Sequence, residues 1–186
     1  MSLIVLVGPA GVGKGSVVKQ LLESYDHYML SVSATTRPPR PGEIDGVHYH
    51  FLGKSEFETQ IATGELLEWA QVHGEHYYGT PKAEILRAEA EGRHLILEID
   101  LQGARQIRQA GIAHIDVFLL PPSWEELERR LRDRGTETES EIQTRLATAR
   151  EELAAADEFE NQLVNDDLGK TARDIHELVS KLEEKK

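Results

Sequence analysis

A chain of 186 residues with 39% hydrophobic and 29% charged side chains holds enough apolar material for one globular domain with its own core, and too much for a disordered one. Its 33 acidic against 21 basic residues give a formal net charge of -12, which speaks against non-specific binding to nucleic-acid polymers and anionic membranes and leaves a local basic pocket for a small anion open. Cysteine is absent, so disulfides, thiolate metal ligands and a thiol nucleophile are excluded too.

The chain begins as strand, turn, helix. Leu3-Ile4-Val5-Leu6-Val7 is the longest apolar run, far short of a membrane span and suited to a strand buried on both faces. No charged segment precedes it, so no secretory signal is expected and the expected location is the cytoplasm. Glycines interrupt at 8–13, and Val17, Val18, Leu21 and Leu22 give helical spacing to about Tyr25. A second short strand is predicted over 28–33. Residues 34–90 are turn-rich, with a strand near 47–51, a helix near 55–63, apolar residues over 66–72, a turn at Gly74 and the run Tyr77-Tyr78-Gly79-Thr80-Pro81. This pattern predicts an inserted α+β subdomain.

The α/β rhythm resumes with a strand over 94–99, a helix over 102–109 and a strand over 115–120. Ser123 and Glu126 stand at capping-box spacing at the start of the next helix. Residues 133–140 are polar and predicted to be mobile. A long helix over 141–159, a short strand over 162–165 and a closing helix over 168–182 complete the chain. Strands alternating with helices predict a doubly wound parallel sheet. The expected division is a core of 1–33, 91–128 and 155–186, an insert of 34–90, and a helical lid of 129–154.

Gly8-Pro9-Ala10-Gly11-Val12-Gly13-Lys14 matches G-x-x-x-x-G-K between a strand and a helix, which is the context that a phosphate loop requires. Glycines let successive backbone N–H groups curl around phosphate oxygens, the helix N-terminus adds its dipole, and Lys14 reaches the β- and γ-phosphates. The position after the lysine departs from the pattern. Gly15 stands where a metal-facing hydroxyl is usual, and Ser16 follows. Magnesium would therefore be held mainly by nucleotide phosphates and water, with Ser16 free to bond a phosphate.

A second basic cluster, Arg37-Pro38-Pro39-Arg40-Pro41-Gly42, sets two guanidinium forks on a proline-stiffened segment, with the hydroxyls of Tyr49 and Tyr78 downstream. A second anion site beside a phosphate loop points to two phosphorylated substrates meeting head to head. His48 with His50, and His73 with His76, have no carboxylate cluster at ligand spacing, so no protein metal site is assigned. No Ser/His/Asp arrangement points to a hydrolase.

In these motifs, and in Ser31-Val32-Ser33-Ala34-Thr35-Thr36, Leu67-Glu68-Trp69-Ala70, Tyr77-Tyr78-Gly79-Thr80, Glu98-Ile99-Asp100-Leu101-Gln102-Gly103, Arg134-Gly135-Thr136-Glu137 and Val164-Asn165-Asp166-Asp167, the whole chain resembles the guanylate kinase family. The resemblance implies transfer of the γ-phosphoryl of ATP to GMP or dGMP, with Mg2+. It implies ATP contacts from Gly8, Pro9, Ala10, Gly11, Val12, Gly13, Lys14, Gly15 and Ser16, with Arg130 and Asn165 on the adenine side. It assigns the GMP phosphate to Arg37, Arg40, Tyr49 and Tyr78, and the guanine to Ser33, Glu68, Thr80 and Asp100. Arg134 and Arg145 become lid arginines acting with Lys14, Arg37 and Arg40 in catalysis. Glu98 lies where the family often has aspartate. Asp100 doubles as a helix cap. Arg129, Arg132 and Arg150 are expected to pair with nearby glutamates. A scaffold domain that binds phosphopeptides without catalysis is the alternative, opposed by the intact Lys14. Monomer and homodimer both stay open.

Overall fold

The computed structural model describes residues 1–72, 76–133 and 138–184. Five parallel strands form the main sheet in the order β2 (Tyr28–Leu30), β7 (His94–Glu98), β1 (Leu3–Val7), β8 (Ile115–Leu120), β9 (Gln162–Val164). The strand order reverses about β1, so the loop after β1 and the turn after β7 open into one crevice at the carboxyl ends of the strands.

All five residues of β1 are buried because both faces of the sheet are covered. Ile4 and Leu6 pack with Val17, Val18 and Leu21 of α1 (Lys14–Ser24) and with Ile175 and Val179 of α7 (Leu168–Glu183). Leu3, Val5 and Val7 pack on the other face with Ala104 and Ile107 of α4 (Leu101–Gln109). Each such side chain contributes roughly 1.5–3 kcal/mol by leaving water.

A second, four-stranded sheet forms the insert, in the order β4 (His50–Phe51), β3 (Ala34–Thr35), β6 (His76–Pro81), β5 (Leu66–Val72). Its small core gathers Ala34, Phe57 and Leu66, with Phe57 supplied by α2 (Lys54–Thr63). One helix of this region was not expected, α3 (Ala83–Glu91). It begins without a side-chain cap, and its Ile85 and Ala88 pack against the main sheet rather than the insert.

Several boundaries move for local reasons. The strand predicted over 28–33 ends at Leu30, because the Val32 N–H donates to the Glu84 carboxylate at 2.7 Å instead of to a neighbouring strand. Of the strand predicted over 47–51, His50 and Phe51 join the sheet, and Tyr49 makes an isolated bridge to Asp45. The residues before them close a turn in which the Gly46 N–H reaches the Tyr49 carbonyl at 2.8 Å. Ser123 caps α5 (Trp124–Arg132) as expected, accepting from the Glu126 N–H at 3.2 Å. The long helix starts two residues early as α6 (Glu139–Ala154), because Thr138 and Glu141 form a reciprocal capping box. It ends early in a 3-10 turn, Ala156–Glu158, that brings Phe159 against Phe118. Among the described residues no helix is long and apolar enough to cross a membrane.

Candidate active site

The loop 8–13 joins β1 to α1 and lines a cavity of about 470 Å3. Gly13 has φ 98°, left-handed backbone, and a Cβ there would stand 2.8 Å from Asn165 Nδ2, so only glycine fits. The two side chains assigned to the adenine side act here as braces. Asn165, 2% exposed, donates to the Val12 carbonyl at 2.7 Å. Arg130 donates to the same carbonyl at 3.1 Å and to the Asn165 carbonyl at 3.3 Å. These bonds hold the Val12 carbonyl, and the Val12 N–H in turn donates to the Pro9 carbonyl at 3.1 Å, which closes the loop on itself. Lys14 Nζ lies folded onto the loop, donating to the Gly8 carbonyl at 2.6 Å.

A second cavity, of about 260 Å3, lies between the main sheet and the insert. Ser33, Tyr49, Glu68, Tyr78 and Asp100 all line it, so five of the residues assigned to the acceptor converge from separate parts of the chain. Lys14 and Glu98 line both cavities, which makes them the junction of the two.

Glu68 is 4% exposed on β5. The Thr80 hydroxyl, itself fully buried, donates to Glu68 Oε1 at 2.6 Å. Burial pushes the Glu68 carboxyl from its ordinary 4.5 up to about 7; the Thr80 hydrogen bond opposes this, and the Asp100 charge adds to it. Thr80 therefore stands behind Glu68 with its proton committed, and it aims the carboxylate rather than lining the cavity wall. Asp100 caps α4 by accepting from the Gly103 N–H at 2.8 Å while also facing the cavity, so it fills both roles that its position allowed.

Arg37 is gripped by Glu43 through two hydrogen bonds of 2.9 Å and lies over the Tyr49 ring at 5.4 Å from its centroid. Glu43 also accepts from the Arg40 N–H at 2.6 Å, and the Arg37 bonds, then that backbone bond, hold its carboxyl down to about 2. The Arg40 side chain is exposed and does not line the cavity.

On the lid side, Arg145 is half-buried on α6 and outside both cavity walls. Arg134 lies outside the described residues. Arg129 pairs with Glu126 and Asp133, and Arg132 with Glu128 and Glu139, as expected. Among the described residues Arg150 has no glutamate partner; its guanidinium lies 4.7 Å from the Trp124 ring centroid, a cation–π contact.

Three further residues touch the residues assigned to the site. A Cβ on Gly103 would stand 2.5 Å from Glu68 Oε2, so this glycine makes room for the buried carboxylate. Glu152 of α6 lines the second cavity and accepts from the Ala10 N–H of the glycine loop at 3.2 Å, tying α6 to that loop. Burial raises its carboxyl, against the pull of Lys14. Glu43 is the third. Only the Gly103 position carried a local signal, a glycine inside a helix that pays about 1 kcal/mol against alanine without a packing reason. Among the described residues no group of three or more His, Asp or Glu side chains is arranged to hold a metal ion.

A family model described as guanylate kinase matches residues 1–182. A guanylate kinase of Thermosynechococcus vestitus is 54% identical over 169 residues, covering 91% of this chain and 88% of that one. One from Synechocystis is 52% identical over 177 residues, covering 95% and 91%. The crystal structure of guanylate kinase from Anaplasma phagocytophilum superposes with a TM-score of 0.76 at 31% identity, covering 97% of this chain and 85% of that one.

Proposed function

The chain belongs to the guanylate kinase family, and on that premise we propose how its cleft divides the work of moving the γ-phosphoryl of ATP to GMP or dGMP, leaving ADP and GDP. The ATP phosphates lie on the N–H groups of the loop 8–13 and at the N-terminus of α1. Lys14 swings from the Gly8 carbonyl to the phosphates between the two cavities. Ser16 bonds a phosphate, and Arg130 and Asn165 border the adenine while bracing the loop.

The acceptor enters the second cavity. Guanine presents N1–H and N2–H2 donors on one edge, and the ionised Glu68 carboxylate accepts from both. Ser33 and Asp100 complete the base pocket, and Thr80 holds Glu68 in aim. Adenine lacks that donor pair and would leave a buried carboxylate unpaired, a penalty of roughly 1–3 kcal/mol. Arg37, Arg40, Tyr49 and Tyr78 hold the acceptor phosphate.

Phosphoryl transfer needs alignment, exclusion of water and positive charge on the developing equatorial oxygens. Lys14, Arg37 and Arg40 supply part of that charge, and Arg134 and Arg145 supply the rest when the lid closes. Mg2+, when bound, neutralises the nucleotide phosphates. Phosphate oxygens and water would hold most of its coordination, and Glu98 and Ser16 are the oxygen-bearing side chains facing that side. No side-chain base is required, and the protein works in the cytoplasm.

One observation carries this reading: a buried carboxylate aimed by Thr80 into a cavity that shares Lys14 with a phosphate loop. Coupled ADP release measured with GMP, dGMP, AMP, UMP and CMP tests it. Turnover should be confined to GMP and dGMP. Absence of turnover with GMP would sink the kinase reading and favour a phosphopeptide-binding module, and equal turnover with AMP would sink the role of Glu68.

A further inference from the structure

β5 is the outer strand of the insert's sheet, paired along one edge with β6. Its pairing is irregular just before Glu68. Leu66 stands opposite Pro81 and Glu68 opposite Thr80, so β5 takes two steps where β6 takes one, and Leu67 is the extra residue. This bulge lets three consecutive side chains be buried in three places. Leu66 joins Ala34 and Phe57 in the insert, Leu67 joins Ala104 and Ile107 on the main sheet, and Glu68 lines the cavity. Such a strand needs its register held. A one-residue slip turns a side chain to the opposite face, and for Glu68 that face is away from the cavity.

Beyond the bulge β5 is held from both sides. On the inner side Trp69 stands opposite Gly79. A Cβ on Gly79 would lie 2.7 Å from the Glu68 carbonyl oxygen and 3.0 Å from the Trp69 Cβ, so glycine lets β6 come this close. On the outer side stands Gln106 of α4. The Trp69 N–H donates to Gln106 Oε1 at 3.1 Å, and Gln106 Nε2 donates to the Trp69 carbonyl at 2.6 Å. One carboxamide thus serves Trp69 as a neighbouring strand would, and the backbone donor and acceptor fix which way round it sits. Gln106 lies one turn beyond Gly103, the residue that makes room for the Glu68 carboxylate. α4 therefore meets β5 at two successive residues, with Gly103 at Glu68 and Gln106 at Trp69.

We propose that Gln106 is a positioning residue for the acceptor base: its carboxamide pins the backbone of Trp69, fixes the register of the bulge and so sets the aim of Glu68. This rests on the reading of Glu68 as the guanine acceptor and adds a residue that acts through it, since Gln106 does not line the cavity. Both bonds are exposed, where water competes for them, so they contribute little to overall stability. What they set is geometry.

The test compares Gln106→Ala with Gln106→Met, which keeps the length of the side chain and removes both bonds. Exchange of the Trp69 amide proton, followed by nuclear magnetic resonance, reports the bond itself and should quicken in both variants. The Michaelis constant for GMP should rise roughly 3- to 10-fold in both, with kcat, the ATP constant and the melting temperature close to the parent. The same substitutions are then made on Glu68→Gln. Because Gln106 acts through Glu68, its penalty on GMP should fall below about 2-fold in that background. A penalty that persists there in full would overturn the proposal. So would a parent-like GMP constant in Gln106→Met, or a loss shared equally by GMP and ATP with a lowered melting temperature. A Glu68→Gln protein whose GMP constant is unchanged would instead overturn the guanine reading itself, so the two failures are distinguishable.

Discussion

The phosphate loop and the acceptor pocket meet at Lys14 and Glu98, yet they are made of different material. The loop is a run of consecutive residues whose working groups, in the proposed function, are backbone N–H donors, and Asn165 and Arg130 hold its Val12 carbonyl. The acceptor pocket is made of side chains brought from β5, β6, the segment 33–49 and the start of α4. The difference follows from the ligands. A polyphosphate presents oxygens in every direction, and a curled backbone satisfies them without reading anything else. A purine edge presents an ordered pair of donors, and only a placed carboxylate distinguishes it.

Substitutions at the two sites should therefore fail in different ways. The largest effect is expected at the junction. Lys14→Met should lower turnover by roughly 10²- to 10³-fold or more while the far-ultraviolet spectrum and melting curve stay close to the parent, since the lysine contributes charge rather than packing. A near-normal rate would break the phosphate-loop assignment.

Glu68→Gln separates the acceptor side. The Michaelis constant for GMP should rise by roughly 5- to 150-fold, corresponding to about 1–3 kcal/mol, with that for ATP nearly unchanged; the reverse pattern would refute the guanine role. Its pH dependence is distinctive. With the carboxyl at about 7, the parent should bind GMP more tightly as pH rises through neutrality, and Glu68→Gln should flatten that dependence. The folded protein holds this proton more tightly than the unfolded chain does between 4.5 and about 7, so folding stability falls as pH rises through that window. The burial cost above it is about 3 kcal/mol. Glu68→Gln should thus melt higher than the parent above neutral pH, with the difference vanishing near the ordinary carboxylate range.

Gly103→Ala sharpens the same contrast from the back of the pocket. Its Cβ would press within 2.5 Å of Glu68 Oε2, so Glu68 or α4 must shift. A loss of about 1–3 kcal/mol in stability is expected, together with weaker GMP binding and unaltered ADP affinity. Weakened ADP binding of the same size would show that the two sites are one mechanical unit. The smallest effect is expected for Asn165→Ala, which removes one brace while Arg130 keeps the other. It should cost about 1–2 kcal/mol in denaturant unfolding and raise the ATP constant modestly, with the GMP constant unmoved.

How much could be read in advance tracks the same division. Leu3 to Val7, the glycine run and Lys14 are adjacent in sequence, so the strand, loop and helix were legible together. Of the residues assigned to the acceptor, Tyr49 and Tyr78 are legible beside the Arg37 and Arg40 cluster, whereas Glu68 and Asp100 are legible only through the resemblance, because neither stands in a local pattern of its own. The helix Ala83–Glu91 has no capping side chain to announce it, and Arg150 lies against the Trp124 ring where local spacing points to a glutamate. Thr80 is assigned to the guanine by resemblance alone, and that its hydroxyl donates to Glu68 is visible only in the fold.

The sequence by itself determined what short-range chemistry can encode: the apolar periodicity of an alternating α/β chain, a backbone turn that only glycine permits, and the cap at Ser123. The tertiary structure decided which carboxylates are buried, which cations they meet, and which glycine makes room for them. Those properties depend on desolvation and on contacts between residues far apart in the chain, such as Glu68 with Gly103 and Gly15 with Glu98. They come into being only when the main sheet and the insert close around the cleft.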